Sequence, residues 1–158
     1  MPQVQVPSVD QALLAHEAGD YGQAFCWLKS LAEQGAAEAY HMLGYLYDVG
    51  RGTRRSKAKA IYWYRKAYAN GESASASNLA TIYRDSGAAR LEFEWYKRAA
   101  DLGDGDALLE IGIRYLSGKG IRRSAAKAVA CFAAAMESKN ACEASRDTAR
   151  QLLWGTQR

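Results

Sequence analysis

Proline is nearly missing: there are 2 in 158 residues, Pro2 and Pro7, both ahead of the first amphipathic stretch. An interior proline removes a helix hydrogen bond and clashes with the preceding turn, so the rest of the chain can run as uninterrupted helices. Cysteine is scarce as well. Cys26, Cys131 and Cys142 are an odd number without CxxC spacing, which argues against a disulfide framework or a zinc site. A Cys131 to Cys142 bridge stays open for an oxidising compartment. The two histidines, His16 and His41, stand alone without HExxH or carboxylate spacing, so neither a metal nor any other cofactor is expected. No run of about 18 apolar residues exists to span a membrane. The opening MPQVQVP lacks the basic start and apolar core of a secretory signal, so the expected location is cytoplasmic, or periplasmic if a signal has been removed. The net charge of +4 is a weak footprint for nucleic acid.

What the chain does contain is an internal repeat, a pattern whose recognition decides the fold. The stretch Ala39 to Gly71 holds two helical patterns around a glycine loop, and copies of it fill most of the sequence. Trp27, Trp63 and Trp95 stand 36 and 32 residues apart (63 − 27, 95 − 63), and a further 36 leads to Cys131 beside Phe132. Gly35, Gly71 and Gly103 keep this spacing, as do Tyr47, Tyr83 and Tyr115, and Leu43, Leu79 and Ile111. Each of the last three precedes a small residue, Gly44, Ala80 or Gly112. Gly50 and Gly52 return at Gly118 and Gly120, whereas the shorter middle copy lacks the second loop glycine and the basic loop residues.

Helix signals divide each copy in two. Ser8 with Gln11 forms a capping box at the first helix, which runs to about Gly19. The second helix, over 21–34, places Ala24, Trp27, Leu28, Leu31 and Ala32 on one stripe and stops at Gly35. Further pairs are expected at 37–49 with 57–69, 74–85 with 88–102, and 106–117 with 125–138, Ser56 capping its helix. A last helix over 141–154, with Asn140 as cap, has no partner and suits the closing position of a stack. The fold class is therefore all-α: a right-handed α-solenoid of antiparallel helix pairs, one domain over 1–158 with units of about 8–35, 36–71, 72–103 and 104–139 and a C-terminal capping helix over 140–154. Glycine costs about 1 kcal/mol against alanine inside a helix, so Gly44 and Gly112 imply close packing. The recurring aromatics are read as core.

These residues resemble the Sel1-like repeat, a relative of the tetratricopeptide repeat. The likeness lies in Leu43, Gly44, Leu46, Tyr47, Gly50 and Gly52 (LGxLYxxGxG), in KAIYWYRKAYANG from Lys59 to Gly71, and in GDYGQAFCWLKSLAEQG from Gly19 to Gly35. It covers about residues 8 to 139. Where this chain has Ser56 and Ser124 the family often has an acidic residue; serine caps a helix equally well. Some secreted members carry one disulfide per repeat, which these cysteines do not supply, so activities of that branch are not carried over. The resemblance implies a noncatalytic module that binds one specific partner protein, as in the small bacterial proteins of this kind that look like immunity proteins neutralising a toxic effector. A general adaptor or assembly scaffold is the alternative it implies, and a hydrolase such as a beta-lactamase-like enzyme is the less favoured one. The expected partner is another protein, not nucleic acid, and a monomer is favoured.

Apparent catalytic motifs yield to the repeat. Ser56 with Lys59 and Ser124 with Lys127 match SxxK, a hydrolase spacing, but occupy one repeat position twice, and no KTG or SDN triplet accompanies them. GIRYLSGK over 112–119 has five residues between its glycines where a phosphate-binding loop has four, and lacks a preceding strand. Binding residues should instead be those that vary between copies on the first helix of each unit: Glu38, His41, Met42, Tyr45 and Asp48; Ser77, Asn78, Thr81 and Arg84; Asp106, Leu109, Glu110 and Ile113. Ala74 shares such a position but is set aside as offering a partner little. A basic edge of Arg51, Arg54, Arg55, Arg122 and Arg123, with Lys57, Lys59, Lys119 and Lys127 nearby, could steer an acidic partner.

Overall fold

The computed structural model describes residues 7–156, which form α-helices and no strand. The elements are α1 (Val9–Glu17), α2 (Tyr21–Glu33), α3 (Glu38–Val49), α4 (Lys57–Ala69), α5 (Ser73–Asp85), α6 (Ala89–Asp101), α7 (Gly105–Ser117), α8 (Ala125–Glu137) and α9 (Glu143–Thr156). Contacts group them into two compact units that meet in sequence at Asn70 and Gly71. In the first unit α1 packs on α2, α2 on α3 and α3 on α4. In the second, α5 packs on α6, α6 on α7, α7 on α8, and α9 closes against α8 and α7.

Capping chemistry starts most of the helices. Ser8 and Gln11 exchange both hydrogen bonds of a capping box, at 3.2 and 3.0 Å, and Asp20, Ser56, Glu72, Asp104 and Ser124 cap α2, α4, α5, α7 and α8. Each such cap satisfies a backbone N–H that the helix leaves without a partner and contributes about 1 kcal/mol. The closing helix departs from expectation, for it begins at Glu143 and Asn140 does not cap it. The Asn140 amide donates to the Gly103 carbonyl at 3.0 Å, and the Cys142 N–H is taken by Asp106 at 2.8 Å. Asn140 thus ties the α8–α9 connection back to the turn before α7, and Cys142, whose sulfur accepts from the Ser145 N–H at 3.4 Å, takes over the end of α9.

The matched helix glycines have the packing reason their recurrence implies. A Cβ on Gly44 would stand 2.7 Å from Cδ1 of the fully buried Tyr64, and one on Gly112 the same distance from Cδ1 of Phe132. Glycine therefore lets α4 lie against α3 and α8 against α7 through an aromatic ring, which gains more from burial than the helix loses. Trp63, Trp95 and Tyr47 are buried, while Trp27 stays half-exposed. The core of the last unit gathers Leu109, Ala128, Phe132, Ala135 and Ala149, with Ile113, Tyr115, Leu152 and Leu153 against it.

Candidate functional site

A hollow of about 280 Å³ opens within the second unit. Ala74, Ser77, Asn78 and Thr81 of α5 form one wall, and Asp104, Asp106, Ala107, Leu109 and Glu110 form the other, with Tyr96 of α6 and Ser145 of α9 completing it. The walls are the first helices of two successive repeats, so residues at equal repeat positions face a shared space. Six of the varying residues named from sequence meet here: Ser77, Asn78, Thr81, Asp106, Leu109 and Glu110.

Hydrogen bonds fix the hollow's shape. The Ser77 hydroxyl donates to Asp104 Oδ2 at 2.6 Å, while Asp104 Oδ1 accepts from the N–H groups of Asp106 and Ala107 at 3.0 and 3.1 Å. One carboxylate thereby caps α7 and ties it to α5. Thr81 donates to the Ser77 carbonyl at 3.2 Å. Burial pushes the Tyr96 phenol above its ordinary value and the charge of Glu110 adds to the rise, against a hydrogen bond with Thr81, so the hydroxyl stays protonated at neutral pH. Asn78 is half-buried and makes no side-chain hydrogen bond among the described residues. Three carboxylates, three aliphatic hydroxyls, a phenol and an amide make a surface suited to a hydrogen-bonding group of a partner. Leu109, 7% exposed, belongs to the core and forms floor more than contact.

Beneath the Glu110 wall lies a buried ion pair. Arg114 Nε donates to Glu92 Oε1 at 2.9 Å, its Nη2 makes a second and closer bond to the same oxygen, and Glu110 Oε2 lies 3.3 Å from that nitrogen. Burial alone would lower the guanidinium's proton affinity; the hydrogen bond and charge of Glu92 more than reverse this. Neither Glu92 nor Arg114 is singled out by the repeat reading, although the signal was present. Glu92 occupies the position of Ala24, Ala60 and Ala128, and Arg114 that of Leu46 and Ile82.

The first unit distributes its candidates differently. His41 meets the Tyr64 ring at a tilt with centroids 5.8 Å apart, Tyr45 meets His16 edge-on at 6.0 Å, and Asp48 pairs with Lys57. Met42 is half-buried and Glu38 exposed. In the second unit, Ile113 packs on the core, and Arg84 is exposed beside Asp85. Of the basic edge, Arg51 lies 4.9 Å over the Tyr21 ring and Arg55 Nε donates to the Asp48 carbonyl at 2.8 Å. Arg54, Arg122 and Arg123 are exposed.

The two SxxK serines have a definite structural role. Ser56 and Ser124 accept from the backbone N–H of Lys59 and Lys127 at 3.4 and 3.3 Å, and those ammonium groups lie 5.1 and 5.4 Å from the centroids of the Tyr47 and Tyr115 rings. The lysines are thus turned to tyrosine faces. GIRYLSGK is helix through Ser117, with Gly112 inside α7. All three cysteines are free, and burial raises the Cys131 thiol. Among the described residues no His, Cys, Asp and Glu group could hold a metal ion, and no helix is long and apolar enough to cross a membrane.

The Sel1 repeat family model matches residues 14–35, 37–72, 93–104 and 105–140. An ERAD-associated E3 ubiquitin-protein ligase component of Arabidopsis thaliana, HRD3B, is 32% identical over 116 residues, which are 70% of this chain and 18% of that protein. The chitin synthase regulator SKT5 of Saccharomyces cerevisiae is 33% identical over 79 residues, 50% of this chain and 11% of its own length. The chain therefore spans less than a fifth of either relative. A Sel1 repeat protein from Oxalobacter formigenes superposes with a TM-score of 0.74 at 23% identity over 97% of this chain and 65% of that one. A protective antigen of uropathogenic Escherichia coli with an SLR fold gives 0.70 at 25% identity, over 85% and 34% of the two chains.

Proposed function

Because the chain belongs to the Sel1 repeat family, whose repeats mediate protein–protein interaction, we propose that it acts without catalysis as a binding module for one specific partner protein, with the α5–α7 hollow as a principal contact. The observation that carries this reading is the convergence of six repeat-variable residues on one concavity. Positions held by the period are occupied by packing, as Gly44 under Tyr64 shows, so recognition falls to positions that vary, six of which meet in that hollow. A preformed, hydrogen-bonded wall also spares a partner part of the ordering cost of association.

The relatives named a ligase component and a chitin synthase regulator support an adaptor or assembly form of this role. Its alternative, an immunity protein that neutralises a secreted toxic effector, rests on family resemblance alone. Against a hydrolase reading stand the helix-capping bonds of Ser56 and Ser124 and the placing of the Lys59 and Lys127 ammonium groups over tyrosine rings.

The test begins with a partner captured from the source cells and its affinity measured by calorimetry. Asn78→Arg places a long side chain in the hollow without removing a structural hydrogen bond. Affinity should fall at least about tenfold, a loss of about 1.4 kcal/mol, with helix content unchanged. A partner that binds this variant as tightly as the unsubstituted chain does not use the hollow.

A further inference from the structure

We propose that the exposed face of α4 docks an acidic, amphipathic helical segment of a partner protein, a second contact that rests on the protein-binding reading and shares no residue with the α5–α7 hollow. α4 reads KAKAIYWYRKAYA and carries not one carboxylate; Lys57 pairs with Asp48 and Lys59 is turned to the Tyr47 ring, while Arg65 and Lys66 lie on the groove face. Ala58, Ile61, Tyr62, Arg65, Lys66 and Ala69 follow one another at helical spacing along one face and line a groove of about 450 Å³. Tyr62 is 52% exposed there. The groove is firmly built, because the Lys66 ammonium lies 5.2 Å from the centroids of the Tyr62 and Trp63 rings and 5.5 Å from that of Tyr40. A cation held over aromatic faces has already given up much of its rotamer freedom, so less is lost when it meets an anion.

The repeat frame shows that this face is individual to the second repeat, residues 36–71. Ala69 stands where the other second helices carry Glu33, Asp101 and Glu137, and Tyr62 stands where they carry Cys26, Glu94 and Ala130. In α2 the acid at this position sits 3.8 Å from Lys29, which corresponds to Arg65. At these positions the second repeat has Arg65, alanine in place of the acid, and an exposed tyrosine. Charge complementarity selects an acidic occupant, and an apolar line flanked by cations on a helix fits the anchor spacing of another helix. Tyrosine and arginine are the residue types that most often dominate such contacts.

The probe is a synthetic amphipathic peptide of about 15 residues, leucine on one face and glutamate on the other, beside a twin with glutamine for glutamate. Binding to the full chain is followed by fluorescence anisotropy. The glutamate peptide should bind at least about tenfold more tightly than its twin, and Tyr62→Ala and Ala69→Glu should each weaken it about tenfold. Ala69→Gln should bind as the unsubstituted chain does, and circular dichroism should show all variants folded. Failure of the glutamate peptide to bind, equal binding of the twins, or indifference to Ala69→Glu overturns the proposal. So does a single-stranded oligonucleotide that occupies this face in preference to the peptide. A captured partner that is lost with Asn78→Arg but kept with Ala69→Glu would remove this contact and leave the hollow standing.

Discussion

Glu92→Ala lowers folding stability by about 3–5 kcal/mol, as does Arg114→Leu, and the two together return it to the unsubstituted level or above. Either single change leaves a charge in a site where Glu92 is fully buried and Arg114 is 7% exposed, with only the half-exposed Lys119 at 3.9 Å to answer Glu92 or Glu110 at 3.3 Å to answer Arg114. Solvating or neutralising the survivor costs more than the pair ever contributed, because two desolvated ions roughly cancel their own attraction. The double variant restores the alanine and the aliphatic residue that the other repeats hold at these positions. Urea unfolding of the four proteins checks this, with midpoints ordered double variant at least equal to the parent and both singles well below. Singles that unfold with the parent would mean the pair is solvated. Glu110 and Tyr96 adjoin Arg114, so the singles should also disturb the hollow's wall, and the pair is best understood as a positioning device for it.

Gly120→Ala costs about 2–4 kcal/mol, the sum of a left-handed backbone forced on a residue with a Cβ and of overpacking. Gly120 has φ of +78°, and an added Cβ would stand 2.6 Å from the Ala89 carbonyl carbon and overlap its oxygen. Gly52 repeats the arrangement 68 residues earlier, with φ of +69° and the Tyr21 carbonyl carbon at 2.5 Å. In each compact unit a loop glycine thus lies on the first residue of an earlier helix, α2 or α6, where only a bare backbone fits. Backbone obstructs here, so rotamer relaxation gives no escape. Gly71→Ala is the control: its φ is +89° with nothing within 4 Å, so it should lose only the conformational share, about 1–2 kcal/mol. Thermal or urea midpoints separate the two, and equal losses would contradict the close-approach account.

Nearly every helix was legible because the repeat states each one several times. The bounds of α4 agree residue for residue with expectation, and those of the other helices before α9 lie within a residue or two. α9 lies outside the repeat, so Asn140 was judged by local capping preference alone; a long-range bond to Gly103 outcompeted it. The hollow was half legible. Variation picked out Ser77, Asn78, Thr81, Asp106 and Glu110, but Tyr96 shares its position with Leu28, Tyr64 and Phe132 and therefore reads as core. Asp104 reads as a turn residue, and the small side chain of Ala74 offers a partner little in sequence, although it is part of the hollow's lining. The Glu92–Arg114 pair shows the converse lesson. A charge at a position otherwise alanine is as informative as a constant residue, provided the frame is read for exceptions.

On the function proposed above, periodic positions build the scaffold while the accessible residues that break the period meet the partner. Amide hydrogen exchange on the full chain, with and without its captured partner, tests this most directly. Binding should slow exchange in the first turns of α5 and α7 and along α4, and leave α2 and α8 as they are in the free protein. Protection concentrated on α2 and α8, with the α5–α7 hollow unchanged, would contradict it.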